Sequence, residues 1–97
     1  MIFHIVLWTL NDPADQPRFR DLLESCRDLV PGMLEFTVGG RADALPAGLD
    51  ANADVALVSR FDSAKALQAY LHHPRHKAVG AQLGPLRQAR TVLDWVA

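Results

Sequence analysis

The stretch Ile2-Phe3-His4-Ile5-Val6-Leu7-Trp8-Thr9-Leu10 decides the fold. It is rich in β-branched and aromatic residues and stops at Asn11-Asp12-Pro13, a cluster of turn formers that also suits the approach to a helix. This pattern predicts a strand. Successive side chains of a strand point to opposite faces, so Ile2, His4, Val6, Trp8 and Leu10 share one side and Phe3, Ile5, Leu7 and Thr9 the other. Both sides are apolar, whereas an antiparallel sheet with one wet face alternates apolar and polar residues. The chain end repeats the pattern, with Leu93 and Trp95 against Val92 and Val96 in a strand predicted from Thr91 to Val96.

The segments between these strands supply the other elements. Asp15 is placed to cap a helix whose apolar residues Phe19, Leu22, Leu23, Cys26, Leu29 and Val30 fall at helical spacing as far as Pro31-Gly32. Met33 to Val38 reads as the second strand, and Gly39 to Asn52, which contains Pro46, as an exposed arm long enough to reach a neighbour. Asp54 to Phe61 is the third strand. Asp62 or Ser63 then caps a helix with Leu67, Tyr70 and Leu71 on one face. Pro74 interrupts that helix and sits well in the first turn of a new one, capped by His73, with Val79, Leu83 and Leu86 continuing the apolar face past Gly80 and Gly84-Pro85.

The order β-α-β-β-α-β predicts an α+β, ferredoxin-like domain over residues 1–97, a four-stranded antiparallel sheet with helices on one face. Helices cover only one side of such a sheet. The economical cover for the other is a second copy of the same sheet, a two-fold homodimer forming a dimeric α+β barrel. A chain of 97 residues is also short of the size at which a lone core is comfortably stable.

Composition narrows the function classes. A net charge of -1 with mixed signs offers no basic stripe, so nucleic acid is not an expected partner. The single cysteine, Cys26, makes no internal disulfide, falls on an apolar helix face and reads as core. The first residues resemble neither a basic leader nor a signal segment, and no apolar run approaches the ~20 residues that span a bilayer. A soluble, cytoplasmic protein without a membrane partner is the expectation. No glycine-rich phosphate loop opens a helix after a strand, so no nucleotide cofactor is expected. The carboxylate pairs Asp12 and Asp15, and Asp21 and Asp28, sit in polar positions and read as solvated.

Two features carry chemistry. His4 is a polar residue inside an apolar strand. Either its ring is satisfied by backbone or water in the core, or it walls a pocket where it can exchange protons. The second feature is Tyr70-Leu71-His72-His73-Pro74-Arg75-His76, three histidines around a helix break. Tyr70 should face inward, and His76, one turn past Pro74, is placed to point back at the same cavity. His72 and His76 are four apart, but Pro74 lies between them and no Asp, Glu or Cys completes a ligand set, so no metal is expected.

The segments Phe3 to Trp8, Val30 to Met33, Ala56 to Val58, Ala69 to His76 and Val92 to Trp95 together resemble the stress-responsive dimeric A/B barrel (Dabb) family over nearly the whole chain. That resemblance implies a ferredoxin-like monomer that dimerises through its sheet. In polyketide cyclases of the olivetolic acid cyclase type it further implies a cofactor-free aldol reaction, with His76 at the catalytic histidine, Tyr70 at its partner tyrosine and His4 at a pocket histidine. The expected small-molecule pocket is lined by His4, Trp8, Tyr70, His73 and His76. Thr9 departs from a frequent lysine and Trp8 from a smaller phenylalanine, which would narrow the pocket against long acyl chains. Three functions follow: a cofactor-free cyclase, isomerase or lyase using His76 as base; a non-catalytic small-molecule-binding or stress-associated protein; and a cofactor-free quinol monooxygenase with Trp8 and Trp95 lining a flat cavity.

Overall fold

Strand β1 (Ile2–Leu10) pairs on both edges, with β3 (Val55–Phe61) on one side and β4 (Arg87–Val96) on the other; β2 (Met33–Gly40) completes an antiparallel sheet in the order β2-β3-β1-β4. The computed structural model describes residues 1–49 and 51–97. Helices α1 (Gln16–Glu24), α2 (Ala64–His72) and α3 (Pro74–Leu83) lie between the strands in the chain, and Pro74 separates the last two as its missing amide proton requires. This is the ferredoxin-like arrangement that the order of elements predicts.

The two faces of β1 separate as its alternation requires. His4, Val6, Trp8 and Leu10 are buried under the helices, where Val6, Trp8, Leu57 and Phe61 of the sheet meet Phe19, Leu23, Leu67, Tyr70, Val79 and Leu83. Helix α1 packs on β2 and β3, and α2 on β1 and β3. On the other face Phe3 and Ile5 are half-buried while Leu7, Leu93 and Trp95 are exposed, Leu93 by 60%. The Phe3 and Trp95 rings stack there at 4.8 Å, 8° from parallel. A contiguous exposed apolar patch of this kind marks an interaction surface.

Several boundaries differ from the sequence-based expectation. The first helix ends at Glu24 instead of running to Val30, because the Ser25 hydroxyl donates to the Leu22 carbonyl at 2.6 Å and Asp28 adopts a left-handed φ of 59°. Cys26 therefore reaches the core from a turn. Asp12, not Asp15, does the capping: it accepts from the Ala14 amide at 3.0 Å at the start of a single 3-10 turn, Pro13–Asp15, that leads into α1. Strand β2 runs on through Gly39 and Gly40, where a Cβ on Gly40 would meet the Gln16 side-chain amide at 2.7 Å. That amide donates to the Asp54 carbonyl at 3.1 Å. Strand β4 begins at Arg87, four residues before the predicted start, because a shift in register at Thr9/Leu10 lets Leu10 pair with Arg87.

The turn that feeds β2 depends on Gly32. Its φ is +89°, a Cβ there would meet Asp62 Oδ1 at 2.5 Å and the Ala66 Cβ at 2.9 Å, and its carbonyl accepts from the Asp62 amide at 2.8 Å. Gly32→Ala is expected to lower the unfolding free energy by more than about 1 kcal/mol. Urea denaturation followed by circular dichroism measures the loss.

Candidate functional site

The site begins with cross-strand pairing. His4 on β1 lies opposite Ser59 of β3 and Asp94 of β4, all three on the helix-covered face. Ser59 is fully buried and donates from Oγ to the His4 carbonyl at 2.7 Å, which explains a hydroxyl in the core. The His4 ring is buried and donates from Nδ1 to Asp94 Oδ1 at 2.5 Å. An ionised carboxylate only accepts, so this bond leaves Nε2 as the free ring nitrogen. A carboxylate on the neighbouring strand satisfies His4 at Nδ1.

Helix α2 brings Tyr70 onto this face. Its apolar stripe follows from Ala66, Leu67 and Tyr70, and Ser63 starts it by accepting from the Ala66 amide at 3.2 Å. The buried Tyr70 ring sits edge-on to His4 at 6.4 Å between centroids and to His76 at 4.6 Å. Phe36 and Phe61 pack on it at 6.3 and 5.3 Å. Burial, with a smaller contribution from the neighbouring Cys26 thiol once it ionises, holds the Tyr70 phenol well above its ordinary value of 10, so it carries its proton at neutral pH.

His76 arrives from α3. The extended backbone of His73 before Pro74 redirects the chain, and His73 Nδ1 accepts from the Arg75 amide at 3.0 Å, capping α3. One turn on, the half-buried His76 ring is pushed below its ordinary 6.5 by desolvation, a Leu71 backbone hydrogen bond opposing and the charges of His4, Arg90 and His73 adding to the push. Its imidazole is neutral at pH 7.

These side chains border one cavity of about 100 Å³. Its floor is Val6, Trp8, Leu57 and the Cys26 side chain; Tyr70, His76, Val79, Gly80 and Leu83 form the helical wall; Arg87 and Arg90 of β4 stand at the side. The volume is close to the ~150 Å³ of a cavity that takes benzene and below the ~300–1,000 Å³ of drug-sized sites, so it suits a compact ligand. Of the residues expected to line a pocket, His4, Trp8, Tyr70 and His76 do so. His73 does not, since its ring is used as a cap, and His72 is exposed at the end of α2. Trp8 and Trp95 lie on opposite faces: Trp8 packs edge-on to Phe19 at 5.2 Å, and Trp95 stacks on Phe3. They cannot flank one flat ligand. Sequence reasoning missed Asp94, Arg87 and Arg90, although a lone acid in Val92-Leu93-Asp94-Trp95 is as out of place as His4 in its own strand.

A family model described as the stress responsive A/B barrel domain matches residues 2–97. Solved structures share the fold. A dimeric ferredoxin-like protein of unknown function from Thermobifida fusca is 27% identical with a TM-score of 0.82, covering 99% of this chain and 90% of its own. The hydroxynitrile lyase from Passiflora edulis is 19% identical, TM-score 0.79, covering 99% and 92%. A protein from Chloroflexus aurantiacus described as an antibiotic biosynthesis monooxygenase is 18% identical, TM-score 0.76, covering 100% and 93%. The last two likenesses are of fold alone. No curated protein matches the chain in sequence.

The depressed His76 value has a consequence for stability. The unfolded chain binds a proton at this residue near pH 6.5 while the folded chain resists it, so stability is full above that pH and falls as pH drops through it. Urea midpoints measured between pH 5 and 8 are expected to show this fall, and His76→Gln to flatten it.

Proposed function

The chain belongs to the stress-responsive A/B barrel domain family, and we propose that it is a cofactor-independent enzyme that moves a proton at the carbon next to a carbonyl group. The observation that carries this reading is the edge contact of Tyr70 with His76 at 4.6 Å inside an apolar cavity, with His4 on the other side of Tyr70.

The roles follow from the protonation states. A neutral imidazole at His76 takes the proton from the activated carbon. The electron pair moves onto the carbonyl oxygen, and the Tyr70 hydroxyl, still protonated because burial raises its pKa, donates a hydrogen bond to the enolate oxygen. The imidazolium formed in this desolvated site is offset by the enolate beside it. The enolate then adds to a second carbonyl, whose oxygen takes the electron pair and the proton held by His76, as in a polyketide cyclase-like aldol closure, or regains that proton at a different carbon, as in an isomerase; carbon–carbon cleavage by a lyase is the reverse of the addition. His4 is a positioning residue and a second proton carrier at the pocket wall, with Asp94 orienting it.

α-Proton exchange of a small ketone in deuterated water, followed by NMR, tests the chemistry. The chain is expected to accelerate exchange, His76→Ala to remove at least about 100-fold of the effect and Tyr70→Phe a smaller part. The rate is expected to rise with pH to a plateau, with its midpoint below pH 6.5, and to show no alkaline fall up to pH 10, because His76 lies below its ordinary value and Tyr70 above its own. A ketone that binds without any accelerated exchange would identify a binding protein instead.

The same reading makes the protein a homodimer through the open face of the sheet, supported by Leu7, Leu93 and Trp95 on that face and by the dimeric state of the Thermobifida fusca relative. Sedimentation is expected to give a dimer for the native chain and a monomer for Leu93→Lys combined with Leu7→Lys.

A further inference from the structure

We propose that the ligand of this cavity is a compact keto carboxylate whose carboxylate is held by Arg87 and Arg90. The proposal rests on the proton-transfer reading for the end that meets Tyr70 and His76, and on independent observations for the charged end.

Strand pairing sets Arg90 opposite Trp8 and Arg87 opposite Leu10 on the helix-covered face, and both arginines line the cavity together with Gly80 and Leu83 of α3. Among the described residues neither has an ion-pair or hydrogen-bond partner: the ion pairs join His4 to Asp94, Arg27 to Glu24 and Arg41 to Asp54. No Asp or Glu is among the lining residues. Asp94, on the same face of β4, already receives the His4 hydrogen bond. Arg87 is half-buried and Arg90 exposed, and neither has a counter-charge in the cavity lining. The positive charge of Arg90 reaches His76, which it pushes toward the neutral form, so the cationic side and the titratable groups belong to one field.

The site is thus cationic at one side and apolar along its floor, with a phenol and two imidazoles at the other. A planar guanidinium matches a carboxylate with two parallel hydrogen bonds. A volume of about 100 Å³ leaves room for a short chain carrying one carbonyl and one carboxylate, not for a polyketide tail or a nucleotide handle. The guanidinium charge also favours the enolate, since a second negative charge develops in the same cavity.

Two probes of nearly equal shape test this, 4-oxopentanoate and the neutral hexane-2,5-dione, titrated against the 97-residue chain by calorimetry and ligand-observed NMR. The carboxylate is expected to bind at least about tenfold more tightly than the dione, as a charge-assisted pair would give. Arg90→Gln and Arg87→Gln should each remove most of that preference while dione binding and the circular dichroism spectrum stay as in the native chain. Equal affinity for the two probes, absence of carboxylate binding, or a preference that survives in the Arg87→Gln/Arg90→Gln double variant overturns the anion site. The two readings separate in the same samples. His76-dependent proton exchange of both ketones without carboxylate preference keeps the base chemistry and removes the anion site; arginine-dependent carboxylate binding without exchange does the reverse.

Discussion

Everything in this molecule hangs on the pairing of β1 with β4 at its ends. That ladder joins the first and last strands of the chain, places His4 against Asp94 and Trp8 against Arg90, and leaves β1 with strands on both sides. A strand so placed has its backbone groups satisfied by neighbours, so apolar residues can occupy both of its faces. One face then meets the helices and the other an exposed apolar surface. The polar groups tolerated on the buried face are those with a partner across the ladder, as Ser59 has in the His4 carbonyl and His4 has in Asp94.

The chemistry of the cavity comes from a single physical cause acting on two groups in opposite directions. Withdrawal from water disfavours the charged form of any titratable side chain, which is the deprotonated form of a phenol and the protonated form of an imidazole. Tyr70 is accordingly kept as a donor and His76 as an acceptor, and the same packing that stabilises the core prepares both. Pro74 is the local device that makes the pair possible. It ends α2 after Tyr70 and starts α3 before His76, so that rings six residues apart meet edge to edge, where one straight helix would set them roughly 120° apart around its axis and about 9 Å apart along it.

Strands β1 and β3, the Pro74 break and the inward Tyr70 were legible because each rests on local chemistry: β-branched runs, a missing amide proton and helical spacing. What was not legible depends on contacts between distant segments. The apolar spacing through Cys26, Leu29 and Val30 looks helical, but the Ser25 side chain competes for a helix carbonyl and Asp28 turns the backbone left-handed. The start of β4 is hidden by Arg87, Gln88 and Arg90, which are polar because that strand is an edge and exposes much of its length. The site was read by half for the same reason. The rings announce themselves in an apolar setting, whereas Asp94, Arg87 and Arg90 become neighbours of those rings only once the register between the two ends of the chain is known. His73, expected both to cap α3 and to line the pocket, caps α3 and is not among the lining residues.

Strand β4 is an edge whose residues serve two surfaces in turn. Arg90 of the cavity and Asp94, which holds the cavity histidine His4, project onto the helix-covered face, while Leu93 and Trp95 project onto the open face, and adjacent positions such as 94 and 95 belong to different surfaces. The period of two along a strand therefore separates two kinds of inherited change. Substitutions at one set of positions alter what the cavity admits, and substitutions at the other alter what the sheet associates with, so descendants of such a chain can diversify in one respect while conserving the other.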